Sequence, residues 1–433
     1  MKRKTFSVIT LGCKVNDYES TFTKELLARD FDYVDHREEK PDIIVIYSCV
    51  VTNTAESKTR KMINHAHKIN EDALIIVCGC YAQLKGDELM NNNRIILAIG
   101  AYEKSQILAY IHQYFNDDEH RLINAVPTKP TYDEMFIDDY STRTRAFLKI
   151  QDGCNQYCAF CAIPFARGKE RSAKMANVLK EAMTLSKNAK EIVLTGIHTG
   201  RYFDGENYLY DLLKELVKIE SLKRIRLSSI EVTEITDDII DLMANHPKIA
   251  RNLHIPLQAG SDKILKLMNR PYTVADYRMR IAYIRHKIPN ISISTDLIVG
   301  FPNEFETEFA LTLDLIKELK FAFIHTFPYS RKSGTVADKM SNHINGKIKK
   351  QRVHQVLALS ETLRNEYDQS LVNSEVEVLF EHYDGQYTIG HTSEFVLLNV
   401  AGQYPLNEMY RCFVSEYRDG KLFGIIRGID EIK

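Results

Sequence analysis

Residues 145–161 read RAFLKIQDGCNQYCAFC. The run RAFLKIQDG is strand-like, and Cys154, Cys158 and Cys161 follow at its end in a C-x3-C-x2-C pattern. A 4Fe–4S cluster is normally held by four thiolates. A compact group of three leaves one iron without a protein ligand, and an open iron can bind and activate a small molecule. The pattern therefore points to chemistry rather than electron storage. Zinc also takes thiolates at short spacing, but structural zinc wants four closed ligands. No fourth Cys or His lies adjacent in the sequence.

Outward from this stretch, residues 143–371 hold six strand-like runs: RAFLKIQDG, EIVLTGI, RIRLSSI, NLHIPLQ, ISISTDLIVG and FAFIHTFPY. Helical patterns follow most of them, notably over 172–187, 208–220, 274–286 and 304–319. Repeated strand–helix units predict a parallel barrel or a partial one, a (β/α)6 arrangement. Residue types suited to chemistry crowd the C-terminal ends of these strands, where α/β barrels place their sites.

The opening segment, 1–115, also alternates strands and helices and predicts a parallel α/β sheet. Residues 116–142 carry acidic residues, two prolines and little periodicity, and read as a linker crossing the surface. The closing segment, 372–433, changes to short strands with Gly-containing turns, a small all-β, OB-like module. The fold class is α/β with this all-β module appended.

Composition sets outer limits. The 433 residues suggest about three domains. Hydrophobic content of 44% and charged content of 27% are ordinary for a soluble globular protein. No run approaches the ~18 apolar residues of a membrane span. The start MKRKTFSVITLGC imitates a signal peptide, but its apolar stretch is short and charged residues follow, so a cytoplasmic chain is expected. Its eight cysteines are then free thiols or metal ligands. A net charge of −1 gives no global sign of a nucleic-acid partner, so any such signal must be local.

Cys13, Cys49 and Cys80 each end one of the opening strands, in the contexts LGCKVN, YSCVVTNT and CGCYAQ. Ligands of open α/β sheets gather beyond the carboxyl ends of the strands, so three residues far apart in sequence can converge there. A second three-cysteine metal site is the sharp reading; three buried packing residues is the plain one. Cys78 and Cys412 read as packing residues.

Several stretches together resemble the methylthiotransferases of the radical S-adenosylmethionine (radical SAM) class. They are LGCKVN, SCVVTNTAE, GCYAQ, TRTRAFLKIQDGCNQYCAFC, VLTGIHTG, IRLSSIE, LHIPLQAGSDKILKLMNRPYT and DLIVGFPNE. The resemblance is nearest to the branch that methylthiolates C2 of N6-threonylcarbamoyladenosine beside the tRNA anticodon. Sister branches act on isopentenyladenosine or on a ribosomal protein. A non-catalytic iron–sulfur or zinc protein that binds RNA is the reading from another class.

The resemblance implies an N-terminal domain, a radical SAM domain and a C-terminal TRAM module. It implies two 4Fe–4S clusters, one on Cys154, Cys158 and Cys161 and an auxiliary one on Cys13, Cys49 and Cys80. The first would split SAM to methionine and a 5′-deoxyadenosyl radical; the second would carry a sulfur that a further SAM methylates. It also implies an electron donor such as flavodoxin or ferredoxin, and a monomer acting on the anticodon stem-loop. SAM contacts are expected from Phe160, Thr195, Gly196, Ser229, Glu231, Gln258 and Asp296. His198 and His254 read as hydrogen-bonded strand-end residues.

Local positive charge brackets the cluster motif. Arg143, Arg145, Arg167 and Arg171, with Lys149, Lys169 and Lys174, read as a phosphate-facing rim. Arg143 and Arg145 are also the expected grip on a substrate carboxylate. Lys347, Lys349, Lys350 and Arg352 form a second basic run. The C-terminal module is acidic overall, and Arg411, Tyr417 and Arg418 are its expected RNA contacts.

Overall fold

The computed structural model describes residues 3–140 and 144–429. The opening segment runs β1 (Thr5–Thr10), α1 (Lys14–Leu27), β2 (Asp32–Tyr33), β3 (Ile43–Ser48), α2 (Asn53–Ile69), β4 (Leu74–Gly79), α3 (Cys80–Met90), β5 (Ile95–Ile99), α4 (Ile107–Asp117) and β6 (Arg121–Ile123). Its sheet has the order β2-β1-β3-β4-β5-β6, with every pairing parallel. Every residue of β3, IIVIYS, is buried, as a central strand covered by helices on both faces requires.

The central segment contains β7 (Arg145–Lys149), β8 (Gln151–Asp152), α5 (Ile163–Arg167), β9 (Arg171–Ser172), α6 (Met175–Leu185), β10 (Glu191–Thr195), α7 (Leu209–Leu216), β11 (Arg224–Leu227), α8 (Asp237–Asn245) and β12 (Asn252–His254). It continues with α9 (Asp262–Leu267), α10 (Val274–Lys287), β13 (Ser292–Val299), α11 (Glu306–Leu319), β14 (Phe323–Pro328) and α12 (Gly346–Ser370). Strands β11-β10-β7 and β12-β13-β14 form two parallel sheets. Bridges between Ile225 and Ile249 and between Ser229 and His254 join them into the expected six-stranded partial barrel. Alternate strand residues such as Ile192, Leu194 and Ile225 pack outward on helix residues such as Leu212, Leu213 and Ile240. Each such side chain contributes about 1.5–3 kcal/mol when fully buried.

The closing segment is a closed five-stranded barrel, β15 (Glu375–Tyr383), β16 (Tyr387–Thr392), β17 (Leu397–Ala401), β18 (Met409–Arg418) and β19 (Lys421–Ile429), in the order β15-β16-β17-β19-β18. This is consistent with a TRAM module.

Of the expected linker 116–142, residues 116–140 are described and differ from a surface crossing. β6 extends the N-terminal sheet beside β5, and Met135, Ile137 and Tyr140 are buried in the core of the central segment. The stretch was hard to read because its apolar residues are too scattered to show a period.

The three segments interlock. Tyr18 of α1 donates its hydroxyl to the Glu181 carboxylate of α6 at 2.8 Å, inside the protein. At the start of the barrel strands, Arg224 donates to Glu377, the His391 carbonyl and Glu191. Arg226 donates to Glu191 and to the carbonyls of Thr392 and Ser393. The C-terminal barrel is thereby fixed to the end of the central strands opposite the cysteine loop.

Candidate functional site

β1, β3 and β4 are neighbours in their sheet, so their carboxyl ends lie about 5 Å apart from strand to strand. Cys13 follows β1 by three residues, Cys49 directly follows β3 and Cys80 directly follows β4. Gly12 packs so tightly there that a Cβ on it would come within 2.9 Å of the Cys49 Cβ and 3.0 Å of Asn16 Nδ2. Its φ of +104° is also one that a glycine adopts freely. The loop that carries Cys13 is thus folded onto Cys49. Cys13, Cys49 and Cys80 thus stand just beyond the carboxyl ends of neighbouring strands.

Cys154, Cys158 and Cys161 lie in the loop between β8 and α5. Each sulfur meets an N–H donor or a ring nitrogen. Gln156 N lies 3.4 Å from Cys154 Sγ, Arg270 Nη1 3.2 Å from Cys158 Sγ and Ile163 N 3.4 Å from Cys161 Sγ. His198 Nδ1 sits 3.4 Å from Cys154 Sγ. In the other triad Arg167 Nε lies 3.3 Å from Cys80 Sγ. Donors aimed at sulfur are what cluster thiolates use to spread their charge. Three thiol side chains per group, with donors on all three sulfurs of the first and on Cys80 of the second, fit an iron–sulfur cluster with one open iron at either position.

As free thiols Cys49, Cys80, Cys158 and Cys161 hold their protons. Burial pushes Cys49 up to about 11 and Cys161 up to about 12, and raises Cys80 and Cys158 against the pull of Arg167 and Arg270. Loading a cluster must therefore displace protons.

His198 was legible only as a strand-end residue. Burial disfavours its charge, but hydrogen bonds with Cys154, Glu170 and Glu234 outweigh that and push it up to about 12. Its nitrogens face Glu170 at 3.3 Å and Glu234 at 2.7 Å. Cys154, Glu170 and His198 approach closely enough to mimic a metal trio. Charged and faced by Glu170 and Glu234, the His198 ring has no lone pair to offer a metal, and its Nδ1–H lies between Glu170 and the Cys154 sulfur.

Arg167 and Arg171 are not on a rim. Both are buried, in a network that joins the two segments. Arg167 reaches Glu19 and Asp152, Lys149 reaches the same two carboxylates, Lys104 reaches Glu19 and Arg171 reaches Asp152. Burial alone would raise Glu19, yet Arg167, Lys104 and Lys149 pull it down to about 2. Four cations against two carboxylates leave a positive excess beside Cys80, the sign that a thiolate needs. The sequence reading failed here because basic residues near a loop look solvated until their buried partners, Glu19 and Asp152, are known.

Arg145 is half-buried, 3.3 Å from Glu381 of the C-terminal barrel and stacked on Phe395. It is therefore engaged at the module interface rather than open to phosphate. Arg143 lies outside the described residues. Lys169 and Lys174 remain exposed and Lys149 is buried. In the second basic run Arg352 is buried against Glu304, whereas Lys347 and Lys350 are exposed. In the C-terminal barrel Arg411 and Arg418 are exposed, Arg418 lies over Phe423, and Tyr417 donates to Asn365 of α12.

The expected SAM contacts fall into two groups on adjacent strands. Thr195 ends β10 and is buried; Gly196 after it leaves little room for a Cβ, which would come within 3.1 Å of Gln151. Gln151 in turn donates to the Gly153 carbonyl at the cysteine loop and accepts from His198 N. Ser229 pairs with His254, whose Nε2 lies 3.2 Å from Asp296; Gln258 N donates to the Asp296 carbonyl. Glu231 is bound by Arg270, the residue that also touches Cys158. Phe160 meets Phe301 edge-on at 6.5 Å. Arg270 and Gln151 were not singled out from sequence. Only contact with the loop marks them.

The fold and the first triad define a radical SAM protein, and residues 148–316 match the Radical SAM superfamily. Residues 5–100 match the "Uncharacterized protein family UPF0004". The chain is 41% identical over 390 residues to the threonylcarbamoyladenosine tRNA methylthiotransferase MtaB of Bacillus subtilis, covering 87% of this chain and 85% of that protein. It is 34% identical over 378 residues to the protein of the same name from Aquifex aeolicus, covering 86% and 91%. A tRNA-2-methylthio-N(6)-dimethylallyladenosine synthase of Thermodesulfovibrio yellowstonii is 32% identical over 439 residues, covering 98% and 99%. Among solved structures, the radical SAM methyltransferase TsrM of Kitasatospora setae superposes with a TM-score of 0.56 at 13% identity, covering 78% of this chain and 74% of that one. This likeness bears on fold alone. The chain belongs to the MtaB-like family of radical SAM methylthiotransferases. SAM and 4Fe–4S clusters are the cofactors of this class.

Proposed function

We propose that this protein transfers a methylthio group to C2 of N6-threonylcarbamoyladenosine beside the anticodon of tRNA. The carrying observation is the meeting of the two cysteine groups through α5. This helix starts two residues after Cys161 and ends at Arg167, whose guanidinium touches Cys80. Ile163 and Ala166 of α5 pack into the same apolar cluster as Cys80 and Tyr81. The relatives named for this nucleoside support the substrate.

When bound, SAM and the clusters supply radical and sulfur chemistry that side chains lack; the C2–H of adenine has no useful acidity for a general base. The protein's part is to hold and shield. Cys154, Cys158 and Cys161 would hold one cluster and Cys13, Cys49 and Cys80 the other. Arg270 and His198 would carry charge to the first group of sulfurs, and Arg167 to the second. Phe160, Thr195, Gly196, Ser229, Glu231, Gln258 and Asp296 would line the SAM site. The proposal includes a monomer in the cytoplasm, reduced by a flavodoxin or ferredoxin. Segments 1–115, 143–371 and 372–433 would serve as sulfur-carrying, radical-forming and RNA-holding units.

Mass spectrometry of tRNA nucleosides from cells with and without the gene tests the reading. Loss of the 2-methylthio derivative of N6-threonylcarbamoyladenosine is expected. Loss of the isopentenyladenosine derivative instead would overturn it.

A further inference from the structure

We propose that His254, Asp296 and His325 hold a divalent transition-metal ion, of the zinc class, inside the central barrel. One ligand atom from each lies within 4.8 Å of those from the other two. The site contains no cysteine and does not depend on which nucleoside is modified.

The strands place all three side chains on one face. Leu253 of β12, Ile293 and Leu297 of β13 and Ile324 of β14 pack in the core shared with the outer helices. Successive strand residues point to opposite faces, so His254, Asp296 and His325 point the other way, into the barrel. Asp296 and His325 are register partners. His254 is the partner of Ser294, one pleat earlier on the same face as Asp296. All three side chains keep some exposure although their strands are paired.

The donor chemistry fits an ion. His254 Nε2 lies 3.2 Å from Asp296 Oδ2. Two ligands about 2.1 Å from one ion stand about 3.0–3.4 Å apart at octahedral or tetrahedral angles. On its other side His254 Nδ1 lies 3.0 Å from Ser294 Oγ, and that hydroxyl reaches the Leu253 carbonyl at 3.5 Å. Nδ1–H can donate to Ser294 while Ser294 donates to Leu253. The Nε2 lone pair then faces Asp296, an acceptor against an acceptor, and an ion between them reconciles the two. One ring nitrogen fixed by an outer hydrogen bond while the other meets the metal is the usual arrangement of ligating histidines.

His325 completes the set. Its ring stands edge-on to those of His254 at 5.4 Å and Phe323 at 4.5 Å. Among the described residues its ring nitrogens have no hydrogen-bond partner, and no Lys or Arg pairs with Asp296. Two imidazoles and one carboxylate suit zinc or ferrous iron and leave coordination positions open. Those positions face the lumen, where water or an oxygen of a bound molecule would take them. Gln258, whose N–H donates to the Asp296 carbonyl, adjoins the site. A carboxylate has two oxygens, so Asp296 can hold the ion through Oδ2 and keep Oδ1 for a SAM hydroxyl.

The test uses protein with both clusters reconstituted, freed of loose ions by a chelator and dialysed anaerobically against zinc alone. Zinc and iron are counted per chain for wild type, His325→Ala and Asp296→Asn. Zinc-edge X-ray absorption reads the ligands. Sites of this kind bind zinc more tightly than ferrous iron or manganese, so zinc is the most sensitive probe of the three. Wild type is expected to take up about one zinc, with nitrogen and oxygen neighbours at about 2.0–2.2 Å. Each variant should bind zinc at least about tenfold more weakly at unchanged iron content. His325 is exposed, so its truncation should leave folding intact, and the iron count verifies that. Three results would each overturn the site. They are no zinc uptake by wild type, equal uptake by wild type and His325→Ala, and a shell of sulfur at about 2.3 Å, which would put the zinc on cysteines.

Discussion

Arg167 donates its Nε–H to the sulfur of Cys80 at 3.3 Å, across 87 positions of sequence. The same guanidinium reaches Glu19, Asp152 and Asn16, so one side chain ties a cysteine of the N-terminal sheet to the loop of the radical SAM triad.

Removing Arg167 leaves Glu19 and Asp152 buried with fewer cations. Breaking a buried pair from one side costs about 3–5 kcal/mol. Arg167→Met is therefore expected to lower the urea midpoint of the cluster-free protein markedly. An unchanged midpoint would show that Lys104, Lys149 and Arg171 suffice.

The six cysteines predict about eight irons per fully reconstituted chain. Alanine at Cys13, Cys49 and Cys80 should bring this to about four, preserve reductive SAM cleavage and stop methylthiolation. Alanine at Cys154, Cys158 and Cys161 should stop both reactions. Iron analysis with product chromatography decides it, and full methylthiolation by the first variant would return those cysteines to a packing role.

Glu181 gives a pH prediction. Burial raises it to about 8, against hydrogen bonds from Ile137 N and Tyr18. A folded value above the unfolded one means stability that is present below about pH 4.5 and is lost as pH rises through about 8. Glu181→Gln keeps an acceptor for both donors and removes the titration. Thermal midpoints of wild type are expected to fall between pH 6 and pH 9 by more than those of Glu181→Gln. Parallel curves would show that Glu181 stays charged.

Arg224 joins Glu191 to the C-terminal barrel. Arg224→Ala should loosen that barrel and expose the stretch after α12 to protease, with RNA affinity falling as a consequence. Arg145→Ala should act in the same way, through Glu381 and Phe395, rather than as loss of a free phosphate contact. Limited proteolysis beside RNA titration separates the two; weaker binding with an intact proteolytic pattern would restore the rim reading for Arg145.

Much of the architecture was legible because period and punctuation are local. The strand runs before Cys13, Cys49 and Cys80, the C-x3-C-x2-C loop and the turn-rich end all announce themselves in short windows. Arg167, Arg171 and Arg145 did not, because a cation's role depends on partners such as Glu19, Asp152 and Glu381, far away in sequence.

The hold of Arg224 and Arg226 on residues 377 and 391–393 fixes the C-terminal barrel at the start of strands whose far ends carry the cysteine loop. Each of these strands is only about five residues long, about 17 Å. If the module grips RNA as proposed, that RNA would meet the reaction centre at a set offset, like stock pushed against the stop of a saw. A base would then be chosen by its distance from the grip as much as by its own chemistry. Such a device would let one chain serve tRNAs whose loops differ in sequence but share a length.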